Sequence, residues 1–178
     1  MRIVGGRNKG RSLKVAKKGT RPTKGIVRES IFNILGSLVV NAHILDVFAG
    51  SGALGIEAIC RGACNCVFIE TNARSLMINI DRFKIKDKCE VLKYDFRRSL
   101  KKLKGRKFDI VFLDPPYHRD YVDQTLILLH NCDLASGVVI VEHHAKETIN
   151  LPGEWQMIKH KKHGETAISV IDSKPESM

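Results

Sequence analysis

The stretch "DVFAGSGALGIEA", Asp46 to Ala58, sets Gly50, Gly52 and Gly55 in a G-x-G-x-x-G pattern. That is the spacing of a dinucleotide-binding turn between a strand and a helix. The turn alone does not choose its ligand. NAD, whose pyrophosphate seeks a helix N-terminus, and other adenosine-bearing molecules are both compatible with it, so the decision rests on the surrounding residues.

Working outward, short β-branched or aromatic runs alternate with amphipathic stretches. "HILDVFA", "CVFIE", "CEVLKYD", "FDIVFLD" and "GVVIVEH" read as strands, with "ARSLMINIDRFKI", "RRSLKKL" and "YVDQTLILLHN" between them as helices. Near-continuous apolar strands separated by helices predict an α/β fold with a parallel sheet covered on both faces. "WQMIKHKK" and "ETAISVID" flank a tight turn at His163-Gly164 and predict a closing antiparallel hairpin. At the start, "RIV" and the alternating "RSLKVA" predict a small β-hairpin. This gives a basic extension over residues 1–20 and a main domain over 21–178. Between them, "TRPTKGIVRESIFNILGSL" carries Thr23 as a helix N-cap, then Ile26, Val27, Ser30, Ile31, Ile34 and Leu35 at helical spacing.

A chain of 178 residues, 43% hydrophobic and 28% charged, is one globular domain of ordinary size. No apolar run reaches the roughly 20 residues of a membrane helix, and "MRIVGGRNKGRS" lacks the apolar centre of a signal peptide. Cys60, Cys64, Cys66, Cys89 and Cys132 are an odd set without zinc spacing, which predicts reduced thiols, a cytoplasmic protein and no metal.

The net charge of +11 is concentrated at one end. Residues 1–28 hold ten basic side chains (Arg2, Arg7, Lys9, Arg11, Lys14, Lys17, Lys18, Arg21, Lys24, Arg28) and no acid, while the remainder carries 20 basic against 19 acidic groups. Such a surplus is the footprint of contact with a phosphate backbone. The first core strand begins well beyond residue 18, so deletion of residues 1–18 is expected to remove nucleic-acid binding and spare the fold.

Three acids close three successive strands: Asp46, Glu70 and Asp95. Glu70 stands near the offset of a carboxylate that binds ribose hydroxyls, and Asp95 is placed to accept an adenine amino hydrogen. Asp46 beside the turn would repel a pyrophosphate but suits a cation. S-adenosylmethionine, with a sulfonium and an ammonium and no phosphate, matches that field. The fourth strand ends in "LDPPY". Two prolines cannot continue a sheet; they stiffen a turn that presents Asp114 and the Pro115 carbonyl. An exocyclic amine conjugated with its ring is a poor nucleophile. Two acceptors on its N–H groups would direct its lone pair at an electrophilic methyl, and Tyr117 offers a face on which a base can stack.

These residues resemble the class I, Rossmann-like amino-methyltransferases with their acid-Pro-Pro-aromatic motif. "RIVGG…KGRSL", "RPT…VRESIFNIL", "LDVFAGSGALGIEA…RGA", "FIE" and "VFLDPPY" are similar to the RsmD family of 16S rRNA guanine-N2-methyltransferases. The resemblance implies a seven-stranded, mostly parallel sheet and methylation of one guanine in small-subunit rRNA by a monomer. The substrate it implies is an assembling subunit, and the product is S-adenosylhomocysteine. It assigns the donor pocket to Asp46, Phe48, Ala49, Gly50, Ser51, Gly52, Leu54, Gly55, Glu70, Thr71, Asp95 and Phe96. Catalysis falls to Asp114, Pro115, Pro116 and Tyr117, and RNA contact to Arg2, Arg7, Lys9, Arg11, Arg21, Thr23 and Arg28. Gly25-Ile26 departs from the Asp-Arg common in relatives after "RPT" and one further residue. Adenine-N6 methylation of nucleic acid and a non-catalytic RNA-binding module are the rival readings. His143-His144 is read as a pair of strand-end histidines, and "HKKH" at 160–163 as an exposed hairpin tip.

Overall fold

A computed structural model describes residues 1–15, 25–116 and 120–174. The alternation in the sequence folds into α1 (Gly25–Leu35), β1 (His43–Val47), α2 (Ala53–Cys60), β2 (Asn65–Ile69), α3 (Arg74–Phe83) and β3 (Cys89–Leu92). The chain continues as α4 (Phe96–Lys102), β4 (Phe108–Leu113), α5 (Tyr121–Asn131), β5 (Ala135–His144), β6 (Gln156–His163) and β7 (Thr166–Asp172). The strands form a single seven-stranded sheet in the order β3-β2-β1-β4-β5-β7-β6. The first five are parallel, and β7 enters antiparallel between β5 and β6. Strand order reverses between β1 and β4, so a ligand crevice opens above their carboxyl ends.

The strand residues alternate between two cores. Ile44, Phe68, Ile110, Phe112 and Ile140 face one core with α1, α2 and α3. Leu45, Val47, Val67, Val111, Leu113, Val139 and Val141 face the other with α4 and α5, against Phe96, Leu100, Leu126 and Leu129. Burial on both faces is why these strands read as continuous apolar runs. The outer strand β6 is exposed along nearly its whole length, and Lys159, Lys161 and Lys162 occupy it. Charges of this kind discourage pairing with another chain.

The N-terminal segment is a hairpin with far less ladder than its alternation suggested. Among the described residues of the arm, only Arg2 and Ser12 form a bridge, supported by Gly10 N–H to Ile3 O at 2.8 Å and Leu13 N–H to Met1 O at 2.8 Å. Other backbone groups of the arm bind core side chains instead. Val4 N–H donates to Glu57 at 3.3 Å, and Lys14 N–H donates to Asn79 Oδ1 at 2.8 Å. Ile3 and Leu13 are buried in the same core as α1 to α3. The arm is thus tied into the fold, and the expectation that its removal would spare the fold is revised. In α1, Ile26 points outward, while Arg28 and Phe32 join Val27, Ile31 and Leu35 inside. Among the described residues, no helix is long and apolar enough to cross a membrane.

Candidate active site

The turn after β1 separates the duties of its glycines. Gly50 has φ +56° and open space where a Cβ would stand, so the backbone is bare toward the crevice. At Gly55 a Cβ would lie 2.4 Å from Phe68 Cε1 and 2.6 Å from Cys66 Sγ; only glycine lets α2 approach β2 this closely. Ala49 N–H donates to Ile69 O at 3.1 Å, tying the turn to the end of β2. The Ser51 carbonyl accepts from Asn79 Nδ2 at 2.8 Å. Leu54 is buried in the core beneath the turn.

Asp46 lies within β1, 2% exposed, and accepts the Gly55 N–H at 2.9 Å. Burial raises its pKa to about 7; the Gly55 hydrogen bond opposes the rise, and the charges of Asp114 and Glu70 reinforce it. That coupling places both of those acids within electrostatic reach of Asp46. Glu70, just past β2, accepts Gly50 N–H at 2.8 Å and Asn72 N–H at 2.8 Å, with the Thr71 hydroxyl at 3.5 Å. Its carboxylate therefore lies across the glycine turn, at the rim expected of a ribose-binding acid.

Asp95 is displaced from its expected place. β3 stops at Leu92, and Asp95 is the N-cap of α4. It accepts Arg97 N–H at 2.9 Å and pairs with that residue's guanidinium at 3.2 Å. The competing use of a strand-end aspartate as a helix cap is realised here, with the carboxylate still exposed. Beside it, the Phe48 ring meets Phe96 at 4.9 Å and stacks on Tyr121 at 5.9 Å. Phe48 holds φ 65°, a backbone strain that aims its ring at this aromatic cluster.

On β4, Asp114 follows Leu113 at the crevice, half-buried, with Pro115 buried and Pro116 exposed. Tyr117, Arg21 and Thr23 lie outside the described residues. Leu113 pairs with Val141, so the next step on β5, Glu142, stands beside Asp114. It is buried and carries the same sequence signal, an acid closing an apolar strand, yet was not among the expected site residues.

Arg2, Arg7, Lys9 and Arg11 lie on the arm, all four exposed. Arg11 donates to the Arg82 carbonyl at 2.6 Å and lies 4.9 Å over the Phe83 ring. Arg28 is a correction. It is 1% exposed, bonds Glu57 at 3.3 Å and donates to the Arg2 carbonyl. A buried charge needs such partners, and this one faces the core rather than RNA. His143 is also buried, its Nε2 2.9 Å from Ser169 Oγ and its Nδ1 2.9 Å from the His144 carbonyl. His160 to His163 close the edge strand β6, with the turn following them.

A parallel five-stranded core, an antiparallel β7 inserted before β6, and acids at the carboxyl ends around a glycine turn define the class I methyltransferase fold. Within that class, the chain belongs to the family described as "Conserved hypothetical protein 95", whose model matches residues 1–172; this is the RsmD family. It is 37% identical over 174 residues to "Ribosomal RNA small subunit methyltransferase D" of Escherichia coli, covering 94% of this chain and 87% of that one. The protein of the same name from Haemophilus influenzae is 35% identical over 172 residues, covering 92% and 89%. Among solved structures, "Putative methyltransferase yhhF" from Escherichia coli superposes with a TM-score of 0.88 at 34% identity over 97% of both chains.

Proposed function

We propose that this protein transfers the methyl group of S-adenosylmethionine to the exocyclic N2 of a guanine in 16S rRNA, within an assembling small ribosomal subunit. The observation that carries the reading is the row of acids at the carboxyl ends of adjacent strands. Asp46 feels the charges of both Glu70 and Asp114, and together the three favour a cationic donor over a pyrophosphate. Two relatives support the reading from outside: proteins 37% and 35% identical across most of this chain carry the name of an rRNA small-subunit methyltransferase.

The donor supplies a methyl group on a positively charged sulfur. Glu70, held by the Gly50 and Asn72 N–H groups, would accept the ribose hydroxyls. Asp46 stays beneath the turn as a buried countercharge. Asp95, Phe96 and Thr71 border the adenine, and Gly50 leaves the backbone open to the donor. Asp114 and the Pro115 carbonyl accept the two N–H groups of the guanine amine and direct its lone pair toward the methyl. Asp114 then takes the proton that the methylated nitrogen sheds. Pro115 and Pro116 hold these acceptors still, so little reorganisation is needed at the moment of transfer. Tyr117 supplies the stacking face, and Arg2, Arg7, Lys9 and Arg11 hold the RNA backbone.

The test is mass spectrometry of nucleosides from small-subunit rRNA, incubated as particles with the protein and labelled donor. N2-methylguanine is the expected product. Label in N6-methyladenine, or none in RNA, would reject the assignment.

A further inference from the structure

Outside the arm, the chain holds a second concentration of positive charge. Residues 93–107, "KYDFRRSLKKLKGRK", contain eight basic side chains and one acid. α4 buries Phe96, Ser99 and Leu100, which turns Arg97, Arg98, Lys101 and Lys102 outward around an open hollow of about 530 Å³ that also reaches Asp95. Some of these charges are answered: Arg97 by Asp95, Arg106 by Glu90, and Lys107 by Asp133. Among the described residues, no ion pair is formed by Arg98, Lys101, Lys102 or Lys104. Arg98 and Lys102 instead lie 4.4 and 4.1 Å over the ring of Tyr94, itself 39% exposed. An aromatic face holds a cation in place without neutralising it.

Lys101 and Lys102 in the last turn complement the helix dipole, but Arg98 gains nothing from them, since like charges three and four residues apart repel. A merely solvated face would mix both signs. The position is informative as well. α4 begins at Asp95 on the crevice rim and packs on the Leu45–Val111 face of the sheet. The arm packs on the opposite face. The two cationic surfaces therefore lie on opposite faces of the sheet.

We infer that the outer face of α4, carried by Arg98, Lys101, Lys102 and Lys104 and braced by Tyr94, binds the phosphate backbone of the substrate RNA on the side of the crevice away from the arm. This rests on the RNA substrate proposed above. The RNA would then be held on both faces of the sheet, by α4 on one and by the arm on the other.

The experiment compares the full chain with the quadruple variant R98A/K101A/K102A/K104A. Binding to small-subunit particles is measured at several salt concentrations, and donor binding by calorimetry. The variant should bind particles at least tenfold more weakly near 0.1 M salt, with a log–log salt slope shallower by about two units or more. Donor affinity should be unchanged. The milder double variant R98Q/K102Q should lose about one unit of slope, and serves if the quadruple variant does not fold. Unchanged affinity and slope, while wild type binds particles tightly, would overturn the α4 surface and leave the proposed function standing. Failure of wild type to bind the particles would overturn both. Loss confined to anionic lipid vesicles, with the RNA slope intact, would assign the patch to a membrane surface and overturn it as well.

Discussion

Asn79 grips Lys14 by both backbone groups: its Oδ1 accepts the Lys14 N–H at 2.8 Å, and its Nδ2 donates to the Lys14 carbonyl at 2.9 Å. The same amide nitrogen donates to Ser51 O at 2.8 Å, and the side chain is wholly buried. One residue of α3 thus joins the arm to the glycine turn. Asn79→Leu leaves the Lys14 N–H and two carbonyls without these partners, and each such partly buried hydrogen bond is worth about 0.5–1.5 kcal/mol. We expect a loss of about 3 kcal/mol in urea unfolding, together with weaker donor binding as Ser51 is released. An equally stable variant would show that the arm is not anchored here.

Arm truncation follows the same logic. Removing residues 1–15 uncovers the pocket filled by Ile3 and Leu13 and deprives Glu57 of the Val4 N–H. Burial of two such side chains is worth about 3–6 kcal/mol, so the truncated chain should melt at markedly lower temperature. A wild-type melting curve would return the arm to the status of an appendage.

The parallel strands and the acids of the crevice were legible because buried parallel strands and strand-end acids leave local signals. "LDPPY" and "AGSG" are contiguous and chemically specific. The arm misled for a physical reason: residues such as Val4 and Lys14 find their hydrogen-bond partners 53 and 65 residues away, and no local pattern reveals that. Arg28 misled in the same way. A basic residue in a basic segment looks exposed until Glu57, an acid inside the apolar helix "ALGIEAIC", is brought against it. The charge of α4 was visible in sequence but cancelled in the sum over residues 29–178.

Arg28 and Glu57 are both almost fully buried, and Arg61 adds a second bond to Glu57 at 2.9 Å. Arg28→Met leaves part of a buried carboxylate uncompensated, which typically costs about 3–5 kcal/mol. The double change with Glu57→Gln should recover a good part of that loss, since neither buried charge then remains. A double-mutant cycle by chemical denaturation measures this. Additive effects would show that the two residues do not interact.

Asp46 gives a pH signature. Unfolded, it titrates near the ordinary aspartate value of 3.8; folded, near 7. Between these values the folded chain binds more protons, so its contribution to stability is full below about pH 4 and is lost as pH rises to about 7, then levels. The ceiling on that loss is about 4 kcal/mol. Asp46→Asn keeps an oxygen for the Gly55 N–H and removes the titration. Its stability relative to wild type should therefore rise between about pH 4 and about pH 7, as read from unfolding curves. Donor binding should show the converse, because a cationic ligand favours the ionised acid. Wild-type affinity should increase through about pH 7, and the variant's should stay flat. Parallel profiles for the two proteins would rule out Asp46 as the titrating group.

The catalytic assignment of Asp114 is tested by separating binding from turnover. The proposed donor pocket draws mainly on the β1 and β2 ends, with Asp46 fixed by Gly55 and Glu70 by Gly50 and Asn72. Asp114→Ala removes a neighbouring negative charge that helps raise the Asp46 pKa but no ligand of the donor. Donor affinity by calorimetry should hold within a few-fold. Turnover is different, because the carboxylate acts on the amine as charge develops, and loss of one positioned group of this kind costs on the order of 100-fold or more. Asp114→Asn retains an acceptor oxygen and should fall between the alanine variant and wild type. Single-turnover methylation of small-subunit particles at saturating donor reads the chemical step directly. Near wild-type turnover by Asp114→Ala would remove Asp114 from the mechanism, whereas loss of donor binding in that variant would make it a pocket residue.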